Sequence, residues 1–152
     1  MKKLLPLLFL GISLASCSKK GDDPAPAPIV MPTIIGSWTV TDVKVVSIDA
    51  GVSTTTTEAL GPNDYNFTFT ADNKLIETFG KNLAPPNGYI QTSVYTYINK
   101  VVVAAMTNPL TNISTTTTYK VESLTNKALV LSYKRSSASS SVMDDYTLTL
   151  TR

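Results

Sequence analysis

Histidine is absent from all 152 residues. Its absence removes the side chain that titrates nearest neutrality, the Ser-His-Asp arrangement and the commonest zinc ligand. Cysteine occurs once, at Cys17, so no disulfide can staple the fold from within. Charged residues make up only 16% of the chain and form no basic stripe of the kind that phosphate neutralisation demands, which excludes nucleic acid as an expected partner. No segment of useful length shows the 3.6-residue periodicity of an amphipathic helix. An enzyme would have to work with carboxylates, Lys, Tyr or Ser, and the adjacent acids Asp22-Asp23 and Asp144-Asp145 give no support for that. Neighbours in an extended segment point to opposite faces, so these pairs read as solvated surface rather than paired-carboxylate or calcium chemistry. No catalytic residue, metal site or cofactor is expected.

What is present begins with a leader. Met1, Lys2 and Lys3 precede an almost unbroken apolar stretch from Leu4 to Ala15, the layout of a secretory signal. The stretch is too short to span a bilayer stably. It ends Leu14-Ala15-Ser16-Cys17, and small residues before a cysteine at that depth resemble the lipobox of bacterial lipoproteins. The resemblance implies that residues 1–16 are removed and that Cys17 carries the lipid, which would leave no thiol nucleophile. Diacylglycerol on the thiol and an acyl chain on the new amino terminus exceed the two signals that stable anchoring needs, at about 0.8 kcal/mol per buried methylene. Ser18, where Asp would favour retention in the inner membrane, implies the outer membrane. Ser18-Lys19-Lys20-Gly21-Asp22-Asp23 resembles the tether that carries Bacteroidetes lipoproteins to the cell surface, so the periplasmic face and the surface both stay open. Lys2 and Lys3 belong to the leader, so the thirteen basic residues of the chain become eleven beyond it, equal to the eleven acidic ones.

Residues 17–32 form a lipidated tether. Its prolines, from Pro24 to Pro32, favour extended polyproline II, which at about 3.1 Å per residue holds the following domain roughly 30 to 40 Å from the anchor. One domain, residues 33–152, follows. It alternates with period two and is rich in Thr, Val and Tyr, which predicts an all-β chain. Strands are expected at 36–48, 52–58, 64–70, 74–79, 90–98, 101–106, 114–124, 128–134 and 142–151, joined mostly by tight turns, hence an antiparallel up-and-down meander. Tyr65, Phe67 and Phe69 share one face, as do Leu129, Leu131 and Tyr133, and Tyr146, Leu148 and Leu150. A sheet with one apolar and one Thr-rich face must close the apolar one. The expected closure is a small β-barrel of about eight or nine strands, with a β-sandwich as the alternative.

Gly36-Ser37-Trp38 opens the first strand and Arg152 closes the last. This pattern is similar to the lipocalin family and to lipocalin-like lipoprotein domains of the Bacteroidetes. The resemblance implies that Trp38 plugs the base of the barrel, that Gly36 permits a close approach, and that Arg152 lies across the indole as a cation–π partner. It also implies a binding role. The second lipocalin motif, the cysteine pair and the helix beside the last strand are missing.

Inward residues of such a barrel are the candidate cavity lining: Val40, Phe67, Phe69, Tyr95, Tyr119, Leu131, Tyr133 and Tyr146, with Tyr65 and Tyr89 among the other aromatics. The same residues would serve as plain core. The segment from Asn82 to Gly88, the longest break between strands, is the candidate lid. Two readings of function follow. One is an outer-membrane lipoprotein whose barrel holds a small hydrophobic or amphipathic molecule in an apolar cavity opposite Trp38. The other is a filled barrel acting as a structural or protein-interaction module of the envelope.

Overall fold

The computed structural model of the chain describes residues 31–108, 111–136 and 142–152. The leader, Cys17 and most of the tether lie outside the described residues. Nine strands form: β1 (Gly36–Asp49), β2 (Val52–Ala59), β3 (Tyr65–Phe69), β4 (Lys74–Phe79), β5 (Tyr89–Ile98), β6 (Val101–Thr107), β7 (Ser114–Leu124), β8 (Ala128–Ser136) and β9 (Met143–Thr151). From β3 onward each pairs antiparallel with the next, and β9 returns to pair with β1. Eight strands thereby close into an antiparallel barrel. The described residues contain no helix.

One hairpin stands outside the expected meander. The start of β1, Gly36 to Thr39, pairs with β3, whereas its later part, Asp42 to Asp49, pairs with β2. β2 is therefore an extra strand, laid along the far half of β1. Its sequence explains this. Val52-Ser53-Thr54-Thr55-Thr56-Thr57-Glu58-Ala59 has no apolar alternation to bury, and all eight residues are exposed. Tyr65, Phe67 and Phe69 of β3 supply that alternation and take the place beside β1. The exchange occurs at Thr41, where the β1–β9 register shifts and where the Leu60 amide donates to the Thr41 carbonyl. A bulge that bends a strand and strengthens its twist suits this departure from the barrel wall.

Tight turns set the registers. Ala50-Gly51 and Asn99-Lys100 are two-residue loops with positive φ at both positions, 47° and 83° in the first, 50° and 64° in the second. That geometry matches the right-handed twist of paired strands.

The core sits at one end. Trp38, Val40, Phe67, Phe69, Leu75, Val102, Leu129, Leu131, Leu148 and Leu150 are fully buried there. Burial then declines along each strand toward the other end. On β7, Val121 and Tyr119 are buried, Thr117 is half-buried and Thr115 is exposed. The barrel is thus filled at its base and loosens toward the end formed by the β4–β5, β6–β7 and β8–β9 connections.

Candidate functional site

The base of the barrel decides where a cavity can lie. The Trp38 indole N–H donates to the Ile34 carbonyl at 2.8 Å, and the Arg152 guanidinium carbon lies 4.2 Å from the indole centroid. Arg152 also donates to the carbonyls of Asn126, Ile35 and Thr33, tying the last strand, the β7–β8 turn and the segment before β1 together. The φ of +131° at Gly36 favours glycine, and a Cβ there would meet the Arg152 Nη1 at 2.9 Å, displacing the guanidinium from its seat. Above this plug the interior is solid. Phe67 stacks on Phe69 at 6.1 Å, and Tyr95 meets Phe69 edge-on at 5.2 Å while donating its hydroxyl to the Thr70 carbonyl. Val40, Phe67, Phe69, Tyr95 and Leu131 are therefore packing residues of the base.

The open end differs. A cavity of about 850 Å³, widely open to solvent at its mouth, lies there, bordered by Tyr65, Glu77, Phe79, Gln91, Met106, Thr115 to Tyr119 and Tyr133 to Ser136. That volume falls in the range of small-molecule sites. Of the expected lining, Tyr119 and Tyr133 border it, and Tyr146 lies behind Tyr133, ring on ring at 4.7 Å. Tyr89 stands outside, 51% exposed. The cavity lies opposite Trp38, as the resemblance implies, but it is not apolar. Hydroxyls, an amide, a carboxylate and, at the rim, Lys134 and Arg135 bound it, because Thr and polar residues replace Leu and Val at the inward positions of the upper strands and the rim residues Thr116, Thr118 and Lys134 of the outer face also border it.

Glu77 is its centre. In β4 the alternation Leu75, Glu77, Phe79 faces inward, which drives a carboxylate into the barrel, where it is 4% exposed. The Tyr65 hydroxyl donates to Glu77 Oε1 at 2.8 Å and the Tyr119 hydroxyl to the same oxygen at 3.2 Å. The Gln91 amide reaches Oε2 at 3.3 Å. Burial pushes the Glu77 carboxyl above its ordinary range, and the two tyrosine hydrogen bonds offset only part of that. Burial and the neighbouring carboxylate raise Tyr65 and Tyr119 well beyond the usual phenol range, so both stay protonated donors. Burial also raises Tyr133, to about 12.

The raised carboxyl predicts a pH-dependent effect. A folded-state value above the unfolded one means that folding favours protonated Glu77. This preference is fully present below the unfolded value and is lost as pH rises through the folded one. Glu77→Gln should therefore melt above the parent at about pH 7.5 and lose that advantage at about pH 4. Thermal melts at both pH values check it. A lower melting point for the variant at the higher pH would mean that the tyrosine bonds outweigh the cost of burial.

Glu77 is a candidate site residue not expected from the sequence, although the signal was present: Lys74-Leu75-Ile76-Glu77-Thr78-Phe79 alternates, and Glu77 shares its parity with Leu75 and Phe79. Asp144, expected on the solvated surface, instead has the inward parity of Tyr146 and is half-buried, and its Oδ1 is buried without a hydrogen-bond partner among the described residues. Asp145 faces out and pairs with Lys134 at 3.3 Å. The segment from Asn82 to Gly88 folds on itself, with the Leu83 and Ala84 amides donating to the Gly80 carbonyl and the Gly88 amide to that of Ala84. Asn82 fastens it to Asp64 at 2.6 Å, so it is a pinned turn rather than a free lid. Among the described residues no group of three His, Cys, Asp or Glu could hold a metal ion. No protein-family model matches this chain and no curated protein matches it, so the site's chemistry is read from its own geometry.

Proposed function

We propose that the chain is a lipid-anchored, lipocalin-like barrel that holds a small amphipathic molecule at its open end and performs no catalysis. The observation that carries this reading is a single one: a buried carboxylate, held by two tyrosines, at the floor of a cavity of about 850 Å³ above a base with no room left in it. A barrel built only to be stable would fill that position with an apolar side chain, since a buried charge without an ionic partner is costly. The anchor rests on the leader and on Cys17, and Ser18 supports the outer membrane as its location.

The test is native mass spectrometry of the mature lipoprotein released from maltoside micelles, first as purified and then offered fatty amines, fatty alcohols and fatty acids. A bound small molecule is expected, and Thr117→Trp should abolish it while strand content by circular dichroism stays intact, because Thr117 borders the cavity half-buried. No bound mass in the intact parent protein would overturn the binding reading. For the anchor, radiolabelled palmitate should enter the parent protein and be absent from Cys17→Ser. Labelling that survives the substitution would refute attachment at Cys17.

The second reading, an envelope interaction module, is favoured by the outer face of β5. Ile90, Val94 and Ile98 share that face and are 65%, 64% and 67% exposed, an apolar row of the sort that marks protein contacts.

A further inference from the structure

No cation among the described residues pairs with the Glu77 carboxylate. Both tyrosine hydroxyls go to Oε1, while Oε2 has only the 3.3 Å contact from Gln91. All three partners are neutral. The walls beside it are rings: Tyr65 stacked with Phe79 at 4.4 Å, and Tyr119 set edge-on to Tyr133 at 5.3 Å. All four border the cavity. A carboxylate on the floor and aromatic rings on the walls both attract a cation, and they do so best where water is scarce. An anion would meet the Glu77 charge and find the tyrosine donors already engaged. A metal ion would find one carboxylate where several are needed.

Resting on the cavity reading above, we infer that the cavity receives an organic ammonium group, seated against Glu77 between the rings of Tyr65, Phe79, Tyr119 and Tyr133, with its apolar tail directed past Met106 and Thr117 toward the mouth. At the rim Lys134 is paired with Asp145, and Arg135 borders the cavity opposite Asp144 in the β8–β9 register, with no ion pair between those two among the described residues. The ammonium seat is therefore placed at Glu77 on the floor, away from Arg135.

The experiment compares three soluble probes of equal chain length, hexyltrimethylammonium, hexan-1-ol and hexanoate, by isothermal titration of the full mature lipoprotein in maltoside micelles with empty micelles as the blank. The ammonium should bind about tenfold or more tightly than the alcohol, and that ratio should fall to about one in Glu77→Gln. Should Glu77→Gln fail to fold, the parent protein still decides. Ammonium affinity should rise with pH as Glu77 ionises, and alcohol affinity should not. The groups facing Glu77 are Tyr65 of β3, Gln91 of β5, Tyr119 of β7 and Tyr133 with Arg135 at the rim of β8, and Asp144 and Tyr146 of β9 share the inward parity. Burial raises the hydroxyls of Tyr65, Tyr119 and Tyr133, so they stay protonated between mildly acidic and neutral pH. Equal binding of ammonium and alcohol, tightest binding of hexanoate, or a preference that survives Glu77→Gln overturns the ammonium inference and leaves the cavity reading standing. Binding of none of the three by the folded protein overturns both.

Discussion

Trp38→Ala is expected to destabilise the barrel by about 3 to 5 kcal/mol, as large aromatic truncations in cores do. The indole is 1% exposed, so its removal leaves a cavity at the best-packed place in the molecule. It also strands the Ile34 carbonyl, which accepts the indole N–H, and takes away the ring beneath the Arg152 guanidinium. Three chain segments meet at that guanidinium, so the loss spreads beyond one side chain. Urea melts followed by strand ellipticity measure it. A loss below about 0.5 kcal/mol, the range of an ordinary surface substitution, would show that Trp38 does not plug the base.

Phe67→Ala should cost a similar amount, about 3 to 5 kcal/mol, and should weaken ligand binding as well. Phe67 is completely buried and lies opposite Trp38 in the β1–β3 register. Its ring contacts those of Tyr65 at 4.9 Å, Phe69 at 6.1 Å and Tyr119 at 5.8 Å. Tyr65 and Tyr119 are the two residues that hold Glu77, so Phe67 is the layer on which the site stands. A residue that merely bordered an empty cavity would behave differently. Its truncation would enlarge the space at little cost and admit bulkier ligands. Stability and binding measured on the same variant separate the two roles, and a loss under about 1 kcal/mol with binding retained would contradict the role given to Phe67 here.

Strand positions were legible in the sequence because the inward faces are strongly marked. Tyr65-Asn66-Phe67-Thr68-Phe69 and Tyr146-Thr147-Leu148-Thr149-Leu150 leave no doubt about parity, and a slip of one residue would expose every ring. The place of β2 was not legible. Its Thr run has good strand propensity but no face, and propensity alone does not say which neighbour a strand takes. The division of the aromatics was also hidden. Phe67 and Tyr119 both point inward, and only the depth of each along its strand makes one a packing residue and the other part of a cavity wall. Glu77 was hidden by habit rather than by physics. A charged residue in an alternating strand is usually assigned to the wet face, whereas here it takes the apolar parity, and that break in the pattern marks the site. The tether and Cys17 stand apart from these lessons, since they lie outside the described residues.

On the proposed reading, the open end of the barrel is a ligand site organised around Glu77. Amide and side-chain chemical shifts of the isotope-labelled protein in maltoside micelles, recorded as hexyltrimethylammonium is added, decide whether it is. Shifts are expected at Glu77, Gln91, Thr117, Tyr119 and Tyr133, saturating with ligand, while Phe69, Leu129 and Leu150 in the filled base stay still. Shifts confined to the outer row of Ile90, Val94 and Ile98, or no saturable shift anywhere in the folded protein, would contradict it.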